Sequence, residues 1–383
     1  MIHKATLTSA DSIFIAEWKG KSIHFYSTNQ DSFASIQLQI AAKYKQADQL
    51  SAWLNCYDTV IRAYRISDQF DKAINTYSDL YKNIWRKPDD SVSLVTLAES
   101  NRQIARIYSR ELSVYAKALS FFDEGIKLMT QAHKWNPEAA RIFYKAAGNC
   151  ASRMDDYEKS VNYQLKNIQV CRDFKDTIKL WMALNDLSYP YMQAGQFQKA
   201  EQALRECYAL NINSDSAEQK VDVCDSYTDL FIITNQLDSA LKYNQLCFIY
   251  LKQWSEPEED SEADLFRKQA KIYSLKKNYT AAEKSYAKAV SLMMLSDENK
   301  RRECGKVLGE FGSMYVDAGK ENLALEKFHE SLQCLIPDFK SSDVNALPDT
   351  SMLYDENGIF ITCEWRGDAY MKLFYSGSNK KHL

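Results

Sequence analysis

The sequence predicts an all-α protein, a solenoid of about seven helical hairpins with capping helices at both ends. Three observations carry that prediction. Glycine and proline are scarce, 11 and 6 in 383 residues, while 45% of the chain is hydrophobic and 13% aromatic. Such a composition suits long, closely packed helices. Ala263 to Met294 reads as one helix–turn–helix unit. Ala270 and Tyr273 share a face of its first helix, Ala282, Tyr286 and Ala289 share a face of its second, and Lys277-Asn278 make the turn. The same pattern then recurs along most of the chain.

Residues 1–50 precede the repeats and are expected to form a helical cap. Ser9 to Trp18 reads as a short helix interrupted by Gly20. Ser32 reads as the cap of a second helix, on which Phe33, Ile36, Ile40, Tyr44 and Ala47 make one apolar stripe.

Seven repeats are expected over 51–338. Each second helix shows an aromatic or bulky residue, then a small one at +3, a bulky one at +7 and a small one at +10. Phe70, Ala73, Tyr77 and Leu80 open the series, and Tyr115, Ala118, Phe122 and Gly125 follow, with a hairpin turn that reads as one residue long. Tyr157, Phe197, Leu237 and Tyr279 start the next four, and the seventh ends in Ala324, Phe328 and Ser331. The central small residues Ala73, Ala118, Ser160, Ala200, Ala240, Ala282 and Ala324 stand 40 to 45 residues apart. Polar links follow at Lys87 to Asp90, Asn136 to Glu138, Asn211 to Ser216 and Glu256 to Glu262. Pro88, Pro137, Pro257 and Pro337 lie in or beside such links and end one helix before the next. Pro190 falls inside a helix and is expected to kink it.

This small–aromatic–small pattern resembles the tetratricopeptide (TPR) repeat, which implies a right-handed superhelix whose first helices line a concave groove. The usual repeat has about 34 residues, so longer helices or links are expected here. Beyond the array, Lys340 to Thr350 reads as an irregular link. A capping helix is expected from about Ile359 to Phe374, with Cys363, Gly367, Ala369, Tyr370, Leu373 and Phe374 on its buried side, followed by a mobile polar tail over 376–383.

Ser331-Leu332, Pro337-Asp338-Phe339, Pro348, Leu353 to Asn357 and Gly367-Asp368-Ala369 resemble the end of the array in bacterial TPR–CHAT proteins. In that family the solenoid precedes a caspase-like cysteine protease domain. The resemblance implies the sensing, regulatory arm of such a protease, with the caspase-like domain in cis beyond Leu383.

The inner-face positions carry the candidate partner-binding residues. They are Arg62 and Arg65 in the first repeat, Arg102, Arg106 and Arg110 in the second, and Lys145, Asn149 and Arg153 in the third. Arginines four apart present a row of planar donors suited to carboxylates. An acidic peptide or protein segment is therefore the expected ligand. The competing reading is a solvated charged face with internal salt links, such as Asp58 with Arg62. Asp222, Asp225 and Asp229 in the fifth repeat predict an acidic stretch near the middle of the groove. Lys145 and Asn149 match two of the five positions of a chaperone carboxylate clamp; Asp186, Asp222 and Ser226 do not.

Other classes are disfavoured. A net charge of −3 argues against bulk nucleic-acid or membrane-surface binding. The nine cysteines have no zinc-finger spacing, and Cys207 and Cys247 take the slot that Ala289 fills, as small apolar fillers. His3, His24, His133, His329 and His382 suggest no catalytic base beside a nucleophile. No catalytic residue, metal site or cofactor is expected, so the chain itself is read as a non-enzyme. No apolar export segment follows Met1, which points to the cytoplasm and reduced thiols. A second functional reading is a peptide-responsive TPR signalling receptor or a free-standing adaptor.

Overall fold

The computed structural model describes residues 6–211, 216–257, 261–294, 301–352 and 357–375. The expected tail lies outside them, as do 212–215 and 258–260 of the polar links and 353–356 of the C-terminal resemblance. Every regular element among the described residues is helical. The chain divides into two compact units, Met1–Cys207 and Tyr208–Leu383.

The first unit opens with the antiparallel pair α1 (Ser9–Phe25) and α2 (Gln30–Gln46). Helix α1 runs straight through Gly20, whose position has open space around it. One glycine in a solvated helix costs only about 1 kcal/mol, too little to end the helix. The cap of α2 is Asn29, whose side chain accepts from the Ser32 N–H at 3.0 Å. Ser32 is thus the recipient of the cap.

The repeats begin with α3 (Leu50–Ile66) and α4 (Phe70–Asn83), then α5 (Ser91–Arg106) and α6 (Tyr115–Ala132). Helix α5 continues as a π-helical turn, Ile107–Glu111. The third repeat opens with one rod in three parts: α7 (Pro137–Ala140), a second π turn (Arg141–Lys145) and α8 (Ala146–Arg153), which pairs with α9 (Tyr157–Asp173). Next come α10 (Thr177–Gln193), which continues past Pro190, and α11 (Phe197–Asn211). The second unit holds α12 (Ala217–Ile233) with α13 (Leu237–Leu251), α14 (Ser261–Leu275) with α15 (Tyr279–Met293), and α16 (Arg301–Asp317) with α17 (Glu321–Leu335). The last helix is α18 (Asn357–Tyr375).

The small residues sit where the paired helices approach most closely. Ala73, Ala118, Ala200, Ala240, Ala282 and Ala324 are fully buried, as are Cys207, Cys247 and Ala289. Gly125 and Gly312 mark tighter contacts still. A Cβ at Gly312 would lie 2.5 Å from the Phe328 ring.

All seven hairpins turn through one device. The second turn residue is left-handed in each: Asp68, Ser113, Asp155, Gly195, Asn235, Lys277 and Gly319 have φ between 54° and 70°. The next N–H then donates back over the turn, as Gln69 does to the Tyr64 carbonyl and Asn278 to that of Tyr273, both at 2.9 Å. This satisfies carbonyls the helix end would leave orphaned. In the second repeat Val114 donates to Tyr108, six residues back rather than five. The hairpin turn there has three residues, Leu112 to Val114, not one, and the π turn before it absorbs the extra position.

Ion pairs join successive repeats within each unit. Lys145 meets Asp186 at 2.8 Å and Arg172 meets Glu206 at 2.7 Å in the first; Lys276 meets Asp238 at 2.6 Å and Lys320 meets Glu283 at 3.3 Å in the second. The cap helix α18 packs on α16 and α17 through Ile359, Thr362, Arg366, Ala369 and Leu373. Gly367 and Phe374, expected on that buried side, are exposed. Arg366 donates to the Val344 carbonyl at 2.6 Å and so ties the 339–350 link onto the helix.

Candidate cationic cleft

The expected partner-binding residues divide into two groups. Arg102, Arg106, Arg110, Lys145 and Asn149 line one cleft of about 180 Å³ in the first unit, together with Arg141, Ser109, Ile142, Ala146 and Phe122. Arg62 and Arg65 lie outside its lining, and Arg153 is exposed at the end of α8. Both π turns contribute, Ser109 and Arg110 from one and Arg141, Ile142 and Lys145 from the other. Such turns occur often at functional sites, because an inserted residue re-aims the side chains around it.

Helix α5 is started by Asp90, whose side chain accepts from the Ser93 N–H at 2.8 Å. Asn136 caps the third repeat with Pro137 in the first helical turn. These caps fix where the two helices that form the cleft begin.

Much of the arginine row is compensated internally. Glu99 accepts from Arg102 at 2.7 and 2.5 Å, from Arg62 at 3.3 Å and from Gln103 at 2.6 Å. Burial pushes the Glu99 carboxyl up, but Arg102, Arg62 and Gln103 outweigh it and hold the group below its ordinary range. Arg62 also reaches Asp58 at 3.3 Å, the i,i+4 link expected from sequence, and Arg65 donates to Gln103 at 2.6 Å. In the third repeat Arg141 pairs with Glu138 at 2.6 Å and Lys145 with Asp186. Asp186 thus supplies a carboxylate to the lysine of the chaperone-like pair.

Arg106 and Arg110 differ. Among the described residues neither lies within ion-pair distance of a carboxylate, and the Arg106 Nε is buried without a hydrogen-bond partner. Burial, then repulsion from Arg65, Arg102 and Arg110, brings the Arg106 guanidinium down to about 10. Arg65 is lowered by burial and by Arg102 and Arg62. The cleft therefore holds uncompensated positive charge that a bound carboxylate would relieve.

Two of the three aspartates expected in the fifth repeat, Asp225 and Asp229, meet a lysine from the next repeat. Lys268 of α14 is buried and contacts Asp225 at 2.7 Å, Asp229 at 2.9 Å and Asp264 at 3.8 Å. Its neighbour Arg267 bridges Asp264 at 2.7 Å and Glu310 at 3.1 Å. The fifth-repeat partners of Lys268 stand 39 and 43 residues away, about one repeat step, so the repeat spacing holds a cue to Lys268 that reading the aspartates alone does not give.

Among the described residues no group of three His, Cys, Asp or Glu is placed to hold a metal ion. No described helix is long and apolar enough to cross a membrane.

No family model matches the chain, and no curated protein matches it by sequence. Solved structures do resemble it. The apo form of RapI aligns over 97% of this chain and 99% of its own, at 9% identity and a TM-score of 0.58. A Rap protein complexed with competence and sporulation factor aligns over 96% and 97%, at 11% identity and a TM-score of 0.52. A tetratricopeptide repeat protein from Parabacteroides merdae covers 73% of this chain and 93% of its own, at 15% identity and a TM-score of 0.47. The fold is that of an all-α, TPR-like helical-repeat protein.

Proposed function

We propose that this chain is a protein-interaction scaffold that takes a carboxylate-bearing segment of a partner protein in the cleft between α5 with its π turn and the third repeat. One observation carries the reading: Arg106 and Arg110 both line the cleft, and no carboxylate among the described residues lies within ion-pair distance of either. A guanidinium pair presents the planar donors that a carboxylate accepts, and the half-buried setting of Arg106 strengthens its contact relative to open water. Arg102, Arg141 and Lys145 are already paired and frame the site.

The test is fluorescence polarisation of a labelled hexaglutamate peptide. Wild type should bind it with a steep salt dependence, and hexaserine should not compete. Arg106→Glu with Arg110→Glu should weaken binding at least tenfold, with helicity unchanged by circular dichroism. Equal binding by wild type and variant, or none by wild type, overturns the reading.

As the C-terminal resemblance implies, the scaffold would serve as the sensing arm of a CHAT-type caspase-like protease in a longer polypeptide. A second reading is a peptide-responsive receptor. The full-length likeness to RapI, and to the Rap protein complexed with competence and sporulation factor, favours considering it. It predicts a change in radius of gyration on peptide addition, measured by small-angle X-ray scattering.

A further inference from the structure

The cationic cleft has a neighbour. A groove of about 520 Å³ lies against the same helices and is lined largely by Val92, Val95, Met129, Ala139, Ile142 and Phe143. Ile142 lines both compartments. Their boundary is built from two ion pairs. Glu99 and Glu138 face the apolar groove, while Arg102 and Arg141, to which they are bonded, face the cleft. Each bridge spans one helical turn, so the glutamates enter the apolar side already neutralised. An apolar side chain can therefore settle there without desolvating a lone carboxylate.

We infer that the two compartments form one site, whose ligand is a peptide segment carrying a carboxylate and, three to five residues away, a bulky apolar side chain. The inference rests on the carboxylate reading above and adds the second anchor. Charge complementarity fixes the acidic end at Arg106 and Arg110. The apolar end follows from the groove, whose volume falls in the range of ordinary ligand pockets. The spacing follows from the helices. Ala139 to Lys145 is six positions and Val95 to Arg106 is eleven, or about 9 and 16 Å at a helical rise of 1.5 Å. An extended chain covers about 3.3 Å per residue.

The probes are labelled peptides with three glutamates at one end and Leu-Phe at the other, separated by a Gly-Ser spacer, made in both chain directions. Controls replace Leu-Phe with Ser-Ser. Wild type should bind one direction of the Leu-Phe peptide at least tenfold more tightly than its control. Val92 is 64% exposed, so Val92→Glu leaves the core intact. It should abolish that advantage while leaving the control's affinity unchanged. Arg110→Glu, also at an exposed position, should weaken both peptides. If Leu-Phe confers no advantage in either direction, or Val92→Glu does not remove it, the two-compartment site is wrong. The scaffold reading would then survive provided the control still depends on Arg110. If neither peptide binds, both fall together.

Discussion

Replacing Lys268 with Met keeps most of its volume and removes its charge from the centre of three carboxylates. The side chain is 8% exposed and lies 2.7 Å from Asp225, 2.9 Å from Asp229 and 3.8 Å from Asp264. The acids hold its ammonium above the ordinary range although burial works against it. Losing one partner of a buried ion pair costs about 3–5 kcal/mol, because the other charge is left uncompensated. Asp225 is already pushed up by burial, with Asp229 and Asp264 adding to the push and Lys268 opposing it. Without the lysine it must rise further. A carboxyl raised in the fold stabilises it when protonated and loses that contribution as pH rises through the folded value. The penalty should therefore be largest at pH 7.5 and clearly smaller at pH 5. Amide hydrogen exchange over α12 to α14 reads the local opening free energy at both pH values. Adding Asp225→Asn should recover part of the loss at pH 7.5. A cost under about 1 kcal/mol at pH 7.5, or an equal cost at both pH values, would refute the reasoning.

Three other substitutions follow. Asp58 is buried beneath Arg62, accepts from Ser100 at 3.0 Å, and is pushed up to about 6 by burial and by Glu99. Against its ordinary value of 3.8, linkage predicts that wild type gains about 1.4 kcal/mol relative to Asp58→Asn between pH 7.5 and pH 5, read by urea unfolding; no differential gain would contradict the burial argument. Gly312→Ala drives a methyl to 2.5 Å from the Phe328 ring, and overpacking of that kind costs about 1–3 kcal/mol, whereas Gly20→Ala, which meets nothing within 4 Å, should be neutral or stabilising by thermal denaturation.

The hairpins were legible because their signal is local. Alanines three and four positions from aromatic residues mark a close-packed face wherever they occur, and all six alanines of that slot are fully buried. The turns were less legible. Five of the seven left-handed positions carry Asp, Ser, Asn or Lys rather than glycine. Their strain is outweighed by the bonds that close each helix end, and the spacing pattern does not register it. The π turns were hidden for a related reason, since one extra residue looks like a shortened loop. At the candidate site, five of the eight expected residues share a cleft. Charges alone do not reveal that Glu99 gathers Arg62 and Arg102, nor that Asp186 reaches Lys145 from the next repeat. Arg141 carries a visible cue, four residues before Lys145 on the same helix face.

The rungs between repeats have a mechanical consequence. Lys276–Asp238 and Lys320–Glu283 are solvent-facing, and their attraction weakens as the screening length shrinks from about 10 Å at 0.1 M salt to about 3 Å at 1 M. Lys268 is itself only 8% exposed, so its contact with Asp225 is screened less than the exposed rungs. The second unit is therefore a spring of graded stiffness. Its compliance can be tuned by ionic strength at the exposed rungs, while the join between its first two hairpins keeps its rigidity.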